Sequence, residues 1–182
     1  MKTKVVLFHV IYLMSMTSFA QRLIDRSGEV TFFSEAPVEN IEAVNKQALC
    51  AMDLSNGNIA ASMLMKSFRF KKALMEEHFN ENYVESGKFP KSTFKGSIEN
   101  FDATEFQEKG AFTKTAKGEI TIHGITQPLE TEVSFRVDAD LISAETKFML
   151  LIADFDIKIP LAVVNNIAEE IKINVSFQFS RP

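Results

Sequence analysis

Residues 129–138 read LETEVSFRVD, with Leu129, Thr131, Val133, Phe135 and Val137 alternating against Glu130, Glu132, Ser134, Arg136 and Asp138. A strict period of two is the signature of a β-strand. One side of it suits a core and the other suits water, as in antiparallel sheet; parallel sheet, covered on both faces, reads as a continuous apolar run. The same period extends outward in both directions. C-terminally, residues 142–152 place Ala144, Thr146, Phe148, Leu150 and Ile152 in phase, and residues 170–180 do so with Ile171, Ile173, Val175, Phe177 and Phe179. N-terminally, residues 110–124 form a long strand with 123–128 (HGITQP) as its turn, and residues 92–100 carry Phe94, Gly96 and Ile98 on one side. Residues 48–53 and 58–68 flank Ser55-Asn56-Gly57-Asn58, and Asn-Gly supplies the positive φ that a tight hairpin turn requires. Residues 23–33 open the series, with Val30 and Phe32 alternating against Glu29 and Thr31. The expected fold is all-β: a single antiparallel barrel of about eight strands, a number that leaves an interior wide enough for one small ligand.

Three stretches break the period. In residues 74–96 a helical projection puts Met75, Phe79 and Tyr83 on one side, with His78 and Asn82 beside them, and Glu76, Glu77, Asn80 and Glu81 on the other. An amphipathic helix in an all-β chain has to lay its apolar side on the sheet, and an open barrel end offers the place. Lys88-Phe89-Pro90 then stops it, because proline cannot continue a helix and pushes the residue before it toward extended backbone. Residues 160–168 read as a short second helical segment. Residues 37–45, with Val38, Ile41 and Val44 three apart, read as a helical turn or a loop over the barrel mouth.

Residues 1–20 belong to a different class. Lys2 and Lys4 precede an apolar run over residues 5–16, and Ser18-Phe19-Ala20 is a small-x-small cleavage pattern before Gln21. The expectation is a cleaved export signal with one domain over residues 21–182. The absence of a cysteine at the cleavage point argues against a lipid anchor. The chain of 182 residues carries 20 basic and 24 acidic groups, a net charge of −4, and loses Lys2 and Lys4 with the signal. Such a balance speaks against nucleic-acid binding, which needs a concentrated basic patch.

Chemistry-bearing groups are few. Cys50 is the single cysteine, so no internal disulfide can form, and it reads as a small apolar strand residue. A metal site would have to join His78, Glu81 and His123, yet Glu81 projects away from the apolar side. The simpler expectation makes His78 a partly buried group bonded to the strand beneath it and His123 a turn residue holding backbone groups. Asp154 and Asp156 read as the polar side of a strand end, not an acid–base pair. Cys50 with His78 lacks any oxyanion motif, and the seven glycines form no phosphate loop. Arg69, Lys71 and Lys72 read as a solvated helix start. With 17 Phe and no Trp, the interior is expected to be unusually apolar.

Several motifs in sequence carry a family resemblance: Met75-Glu-Glu-His78, Lys88-Phe89-Pro90 with Phe94, the run 118–128 (GEITIHGITQP), Asp154-Phe-Asp-Ile157 and Glu170-Ile-Lys-Ile173. Together they resemble the YceI family of exported lipocalin-like proteins. Asp156 stands where many members carry Gly. The resemblance implies an antiparallel barrel whose tunnel holds a polyisoprenoid or similar amphiphile in the periplasm, with no catalytic residue, metal or cofactor. The expected ligand-binding side chains along the barrel are Val30, Phe32, Met63, Phe94, Val133, Phe135, Phe148, Leu150, Val175 and Phe177. Near the cap they are Met65, Phe68, Met75 and Phe79. The implied partner is an isoprenoid or other long apolar molecule, with no stable membrane anchor and a homodimer left open. The rival readings are a ligand-free interaction module, its interior filled by its own Phe and Met side chains, and an enzyme at the barrel mouth using His78, His123 and a carboxylate.

Overall fold

The computed structural model describes residues 22–160 and 166–181. Nine strands appear in order: β1 (Arg22–Ser34), β2 (Ile41–Asp53), β3 (Asn58–Leu64), β4 (Arg69–Phe70), β5 (Lys91–Ile98), β6 (Gly110–Ile122), β7 (Ile125–Val137), β8 (Leu141–Leu151) and β9 (Glu170–Ser180). Helix α1 (Ala73–His78) lies between β4 and β5 and continues as a wider π-turn, Phe79–Tyr83. The sheet runs β1-β9-β8-β7-β6-β5-β3-β2, and β2 pairs back onto β1, so eight strands close a ring while β4 adds only a two-residue fringe to β2. Every pairing is antiparallel. The expected signal at residues 1–20 lies outside the described residues, as does most of the expected second helical segment at residues 160–168.

Strand β7 shows why the alternating stretch decides the architecture. Val133, Phe135 and Val137 are buried while Glu132, Ser134, Arg136 and Asp138 are exposed. Two expected boundaries move. Residues 41–45 are neither helical nor loop, because Ile41, Ala43 and Asn45 pair with Ser34, Phe32 and Val30 and continue β2. The spacing of three among Val38, Ile41 and Val44 was fortuitous: Val38 is exposed in the connection, whereas Ala43 and Asn45 are fully buried. The turn after β6 is only His123-Gly124, both at positive φ (51° and 77°), as a two-residue hairpin of the primed type demands. Ile125 already faces Ile122, and Pro128 sits inside β7.

The two barrel ends are closed differently. Helix α1 covers one, with Phe79 packed against Phe32, Phe68 and Phe70 at centroid separations of 5.1–5.5 Å. Its polar side is less wet than the projection suggests. The Glu76 carboxylate accepts from Arg69 at 2.9 Å and from the Phe70 amide at 3.3 Å, and Asn80 Nδ2 donates to the Glu76 carbonyl. Glu76 and Asn80, expected to face water, are half-buried, Glu76 because β4 folds back onto its carboxylate. At the opposite end the turn Ala103–Phe106 inserts Phe106 among Phe101, Phe112 and Phe135, at 5.1–5.5 Å. Asp102 caps that turn by accepting from the Thr104 amide; the bond from the Thr104 hydroxyl, with that amide bond adding to it, holds its carboxyl below the usual range.

Three ladders stop short, each at an inward polar side chain. β1 and β9 pair only over Glu29–Phe33 with Lys172–Ser176; beyond them Asp25, buried, accepts from the Gln178 and Ser27 amides at 2.8 Å. β2 and β3 pair only over Leu49–Met52 with Ile59–Ser62; beyond them Asn45 Nδ2 donates to the Leu64 carbonyl at 2.9 Å. β7 and β8 pair only over Val133–Val137 with Ile142–Thr146; there the Thr146 hydroxyl donates to the Glu132 carbonyl at 2.7 Å and lies 2.7 Å from the Thr131 hydroxyl. Buried backbone groups have to find partners, and side chains supply them where a ladder forks.

Candidate ligand cavity

Inward residues of all eight ring strands surround a cavity of about 150 Å³ in the barrel body. A second, of about 220 Å³, lies beneath α1. Met63, Ile122, Leu150 and Ile173 line both, so the two chambers meet at a waist. Among the described residues, the polar ones on the first wall are Ser62, Ser92, Thr93, Thr131 and Thr146; on the second they are Ser34, His78, Tyr83 and Asn166. Among the described residues, no Asp, Glu, Lys or Arg reaches either wall. A cavity of about 150 Å³ walled by aliphatic and aromatic groups stays dry and accepts a benzene-sized hydrocarbon. The arrangement can therefore enclose apolar matter and offers it no reactive group.

The structure places every expected lining residue on one of these walls. Val30, Phe94, Val133, Phe135, Phe148, Val175 and Phe177 surround the first chamber, and Met63 and Leu150 stand at the waist. Phe32, Met65, Phe68, Met75 and Phe79 surround the second. Sequence reasoning missed Cys50, Met52, Ile59, Ile120 and Phe179 in the first chamber, although the period of two through β2, β3, β6 and β9 extends to them. It also missed Phe155 and Ile157 in the second chamber, where the chain leaves β8 in a tight turn (Ile152–Phe155) that carries no strand period.

The titratable groups take separate places. Cys50 is buried in the first wall, and burial, with the Asp25 charge adding to it, pushes its thiol up to about 12. A thiol so placed stays protonated and inert. His78, expected to bond the strand beneath it, is exposed on the cap, on the other chamber. His123 joins three elements: Nδ1 lies 2.9 Å from the Phe155 carbonyl, Nε2 lies 2.9 Å from Glu85 Oε2, and Phe89 packs edge-on against the ring. Asp154 and Asp156 lie in and after the tight turn, not along a strand. Asp156 has φ of 53°, the left-handed conformation that glycine adopts at no steric cost. Lys71 and Lys72 are spoken for by Glu42 and Glu39 at 3.5 and 2.5 Å. No group of three metal-ligating side chains exists among the described residues.

A closed eight-stranded antiparallel barrel with a helical cap and an apolar interior defines a lipocalin-like binding fold. The family profile described as YceI-like domain matches residues 3–179, and the chain belongs to that family. Among solved structures it resembles a polyisoprenoid binding domain from Saccharophagus degradans, at 10% identity and a TM-score of 0.75 over 88% of this chain and 98% of that one. It also resembles BcnA of Burkholderia cenocepacia, at 15% identity and 0.68 over 85% and 96%. The YCEI protein of Campylobacter jejuni aligns at 13% identity and 0.63 over 81% and 89%. At such identities these likenesses speak for the fold. No curated protein sequence matches the chain.

Proposed function

We propose that the barrel binds one apolar, chain-like molecule, of the isoprenoid lipid or quinone type, and carries or sequesters it in the periplasm after loss of residues 1–20. The observation that carries this reading is the pair of apolar chambers joined at a waist. A barrel that served only as an interaction module would fill that space with its own Phe and Met side chains. The polyisoprenoid-binding description of the Saccharophagus degradans domain, which shares the fold, supports the same ligand class. Binding by burial alone is sufficient: each methylene withdrawn from water contributes on the order of 0.8 kcal/mol. The reading needs no cofactor and no catalytic group. Because both chambers lie within one chain, it holds for a monomer and a homodimer alike.

Protein purified without detergent and examined by native mass spectrometry, then extracted with organic solvent, should release a bound apolar molecule. Recovery of none, together with no binding of farnesol or geranylgeraniol on titration, would end the carrier reading. Export is tested separately by the mass of the protein in the periplasmic fraction, which should begin at Gln21.

A further inference from the structure

We infer that the ligand's chain passes into the first chamber sideways, through the wall between β7 and β8, and not past the helical cap; this rests on the binding role proposed above. No described strand bonds to β7 over residues 125–131 on the β8 side, or to β8 over residues 147–151 on the β7 side. The wall there is held by side chains: the Thr131–Thr146 contact, and Gln127 Nε2 donating to the Asp154 carbonyl at 2.9 Å. Burial changes at the same point. Inward Val133, Phe135, Ile142 and Ala144 are buried along the intact ladder, as is Leu150 at the waist; inward Leu129, Thr131 and Phe148 beyond the ladder, and Thr146 in its last pair, are only half-buried. These last four line the first chamber, so the seam looks directly into it. Pro128 lies in the unpaired half of β7, as proline in a strand does where its missing N–H faces no ladder.

The outer face agrees. Met149 and Leu151, each 48% exposed, stand on the outward side of β8 along the seam, an apolar threshold beside an apolar chamber. The competing routes are stopped: the β2–β3 fork is bridged by fully buried Asn45 and its bond to the Leu64 carbonyl. The cap carries four mutually packed Phe rings and the Arg69–Glu76 ion pair. The other gap in the barrel ladder at the far end, between β1 and β9, is occupied by Asp25 and its bond from Gln178, with the Phe177 ring seated against Gly28. Opening the β7–β8 seam breaks side-chain contacts only, whereas lifting the cap breaks an aromatic cluster.

The test places a bulky polymer outside the wall without touching either chamber. Met149→Cys beside the seam, Leu74→Cys on the exposed face of α1 and Ser134→Cys on the paired half of β7 are each coupled to a maleimide polyethylene glycol; Cys50, buried and protonated, does not react. Stopped-flow fluorescence follows uptake of a farnesyl chain bearing an anthraniloyl reporter. The adduct at Met149 should slow uptake and release together by about tenfold, within the range over which hindered access changes association rates, and leave equilibrium affinity unchanged. The adducts at Leu74 and Ser134 should leave both rates as in the unlabelled protein. Slowing by the Leu74 adduct, or equal slowing by all three, overturns the lateral route while the binding reading stands. Failure of the unlabelled protein to take up the chain at all removes both.

Discussion

Replacing Asn45 tests the claim that inward polar side chains hold the barrel together where its ladders fork. Asn45 is fully buried; its Nδ2 donates to the Leu64 carbonyl and its Oδ1 accepts from the Gln47 amide, both at 2.9 Å. Asn45→Ala removes two hydrogen bonds at about 0.5–1.5 kcal/mol each and leaves a small void, so the loss should be about 2–4 kcal/mol. Against the roughly 5–15 kcal/mol that stabilises a domain, this is a large fraction. Asn45→Asp is the sharper variant. It keeps the acceptor for Gln47 but, when ionised, points a second acceptor at the Leu64 carbonyl in a dry site. Burial then raises its carboxyl in the folded state, so the folded form keeps a proton that the unfolded form releases above a pH of about 4. Stability is therefore greatest below that pH, where the protonated oxygen can donate to Leu64, and falls as the pH rises. Urea unfolding of wild type and both variants between acid and neutral pH measures this. An Asn45→Ala loss below about 0.5 kcal/mol, smaller than one ordinary hydrogen bond, or an Asn45→Asp profile parallel to wild type, would refute the reasoning.

Gly118→Ala would bring a β-carbon within 2.2 Å of the Lys95 carbonyl oxygen and 2.5 Å of the Gly96 α-carbon. Urea unfolding should show about 1–3 kcal/mol of destabilisation from the overpacking; a neutral result would mean that β5 and β6 are not held so close. Cys50 should resist a thiol reagent at pH 8 until the protein is denatured, and a rapid native reaction would contradict its burial. Because its thiol is raised from 9.0 to about 12 in the folded state, stability relative to Cys50→Ala should fall by about 1.4 kcal/mol per pH unit above pH 9. That pH-dependent difference should be absent at neutral pH. Leu150→Trp fills the waist between the chambers; titration should show geranylgeraniol binding weakened about tenfold, roughly two methylenes' worth of burial, with geraniol little changed. Equal loss for both alcohols would mean that the chambers do not act in series.

The ring strands were legible because antiparallel sheet with one wet face writes its geometry into alternate residues, and β7, β8 and β9 carry that alternation nearly without interruption. The chamber walls followed from the same period; of the misses in the first chamber, Cys50, Met52, Ile59 and Ile120 lie on strands read less fully, and Phe179 is the next inward residue after Phe177 on β9. What could not be read depends on partners distant in sequence. Residues 41–45 look helical in isolation and become strand because Ile41 meets Ser34 and Ala43 meets Phe32. Glu76 is polar by type, and the return of β4 over α1 draws it inward. The Phe106 plug sits in a turn with no period, and the forks at Asp25, Asn45 and Thr146 depend on where ladders end, which local sequence does not encode.

The closure of the ring through β1 and β9 joins the first described strand to the last, with Thr31 opposite Asn174. Hairpins such as β6–β7 can form as soon as their own residues are available, but the ring can close only when residues 170–180 have been synthesised. Until then β1 and β8 each present an edge that the finished protein covers. Folding dominated by such distant pairings is slow by comparison with helical proteins of similar size. The last strand is thus the kinetic latch of the molecule: a chain ending before Glu170 would keep its hairpins and lose its inside.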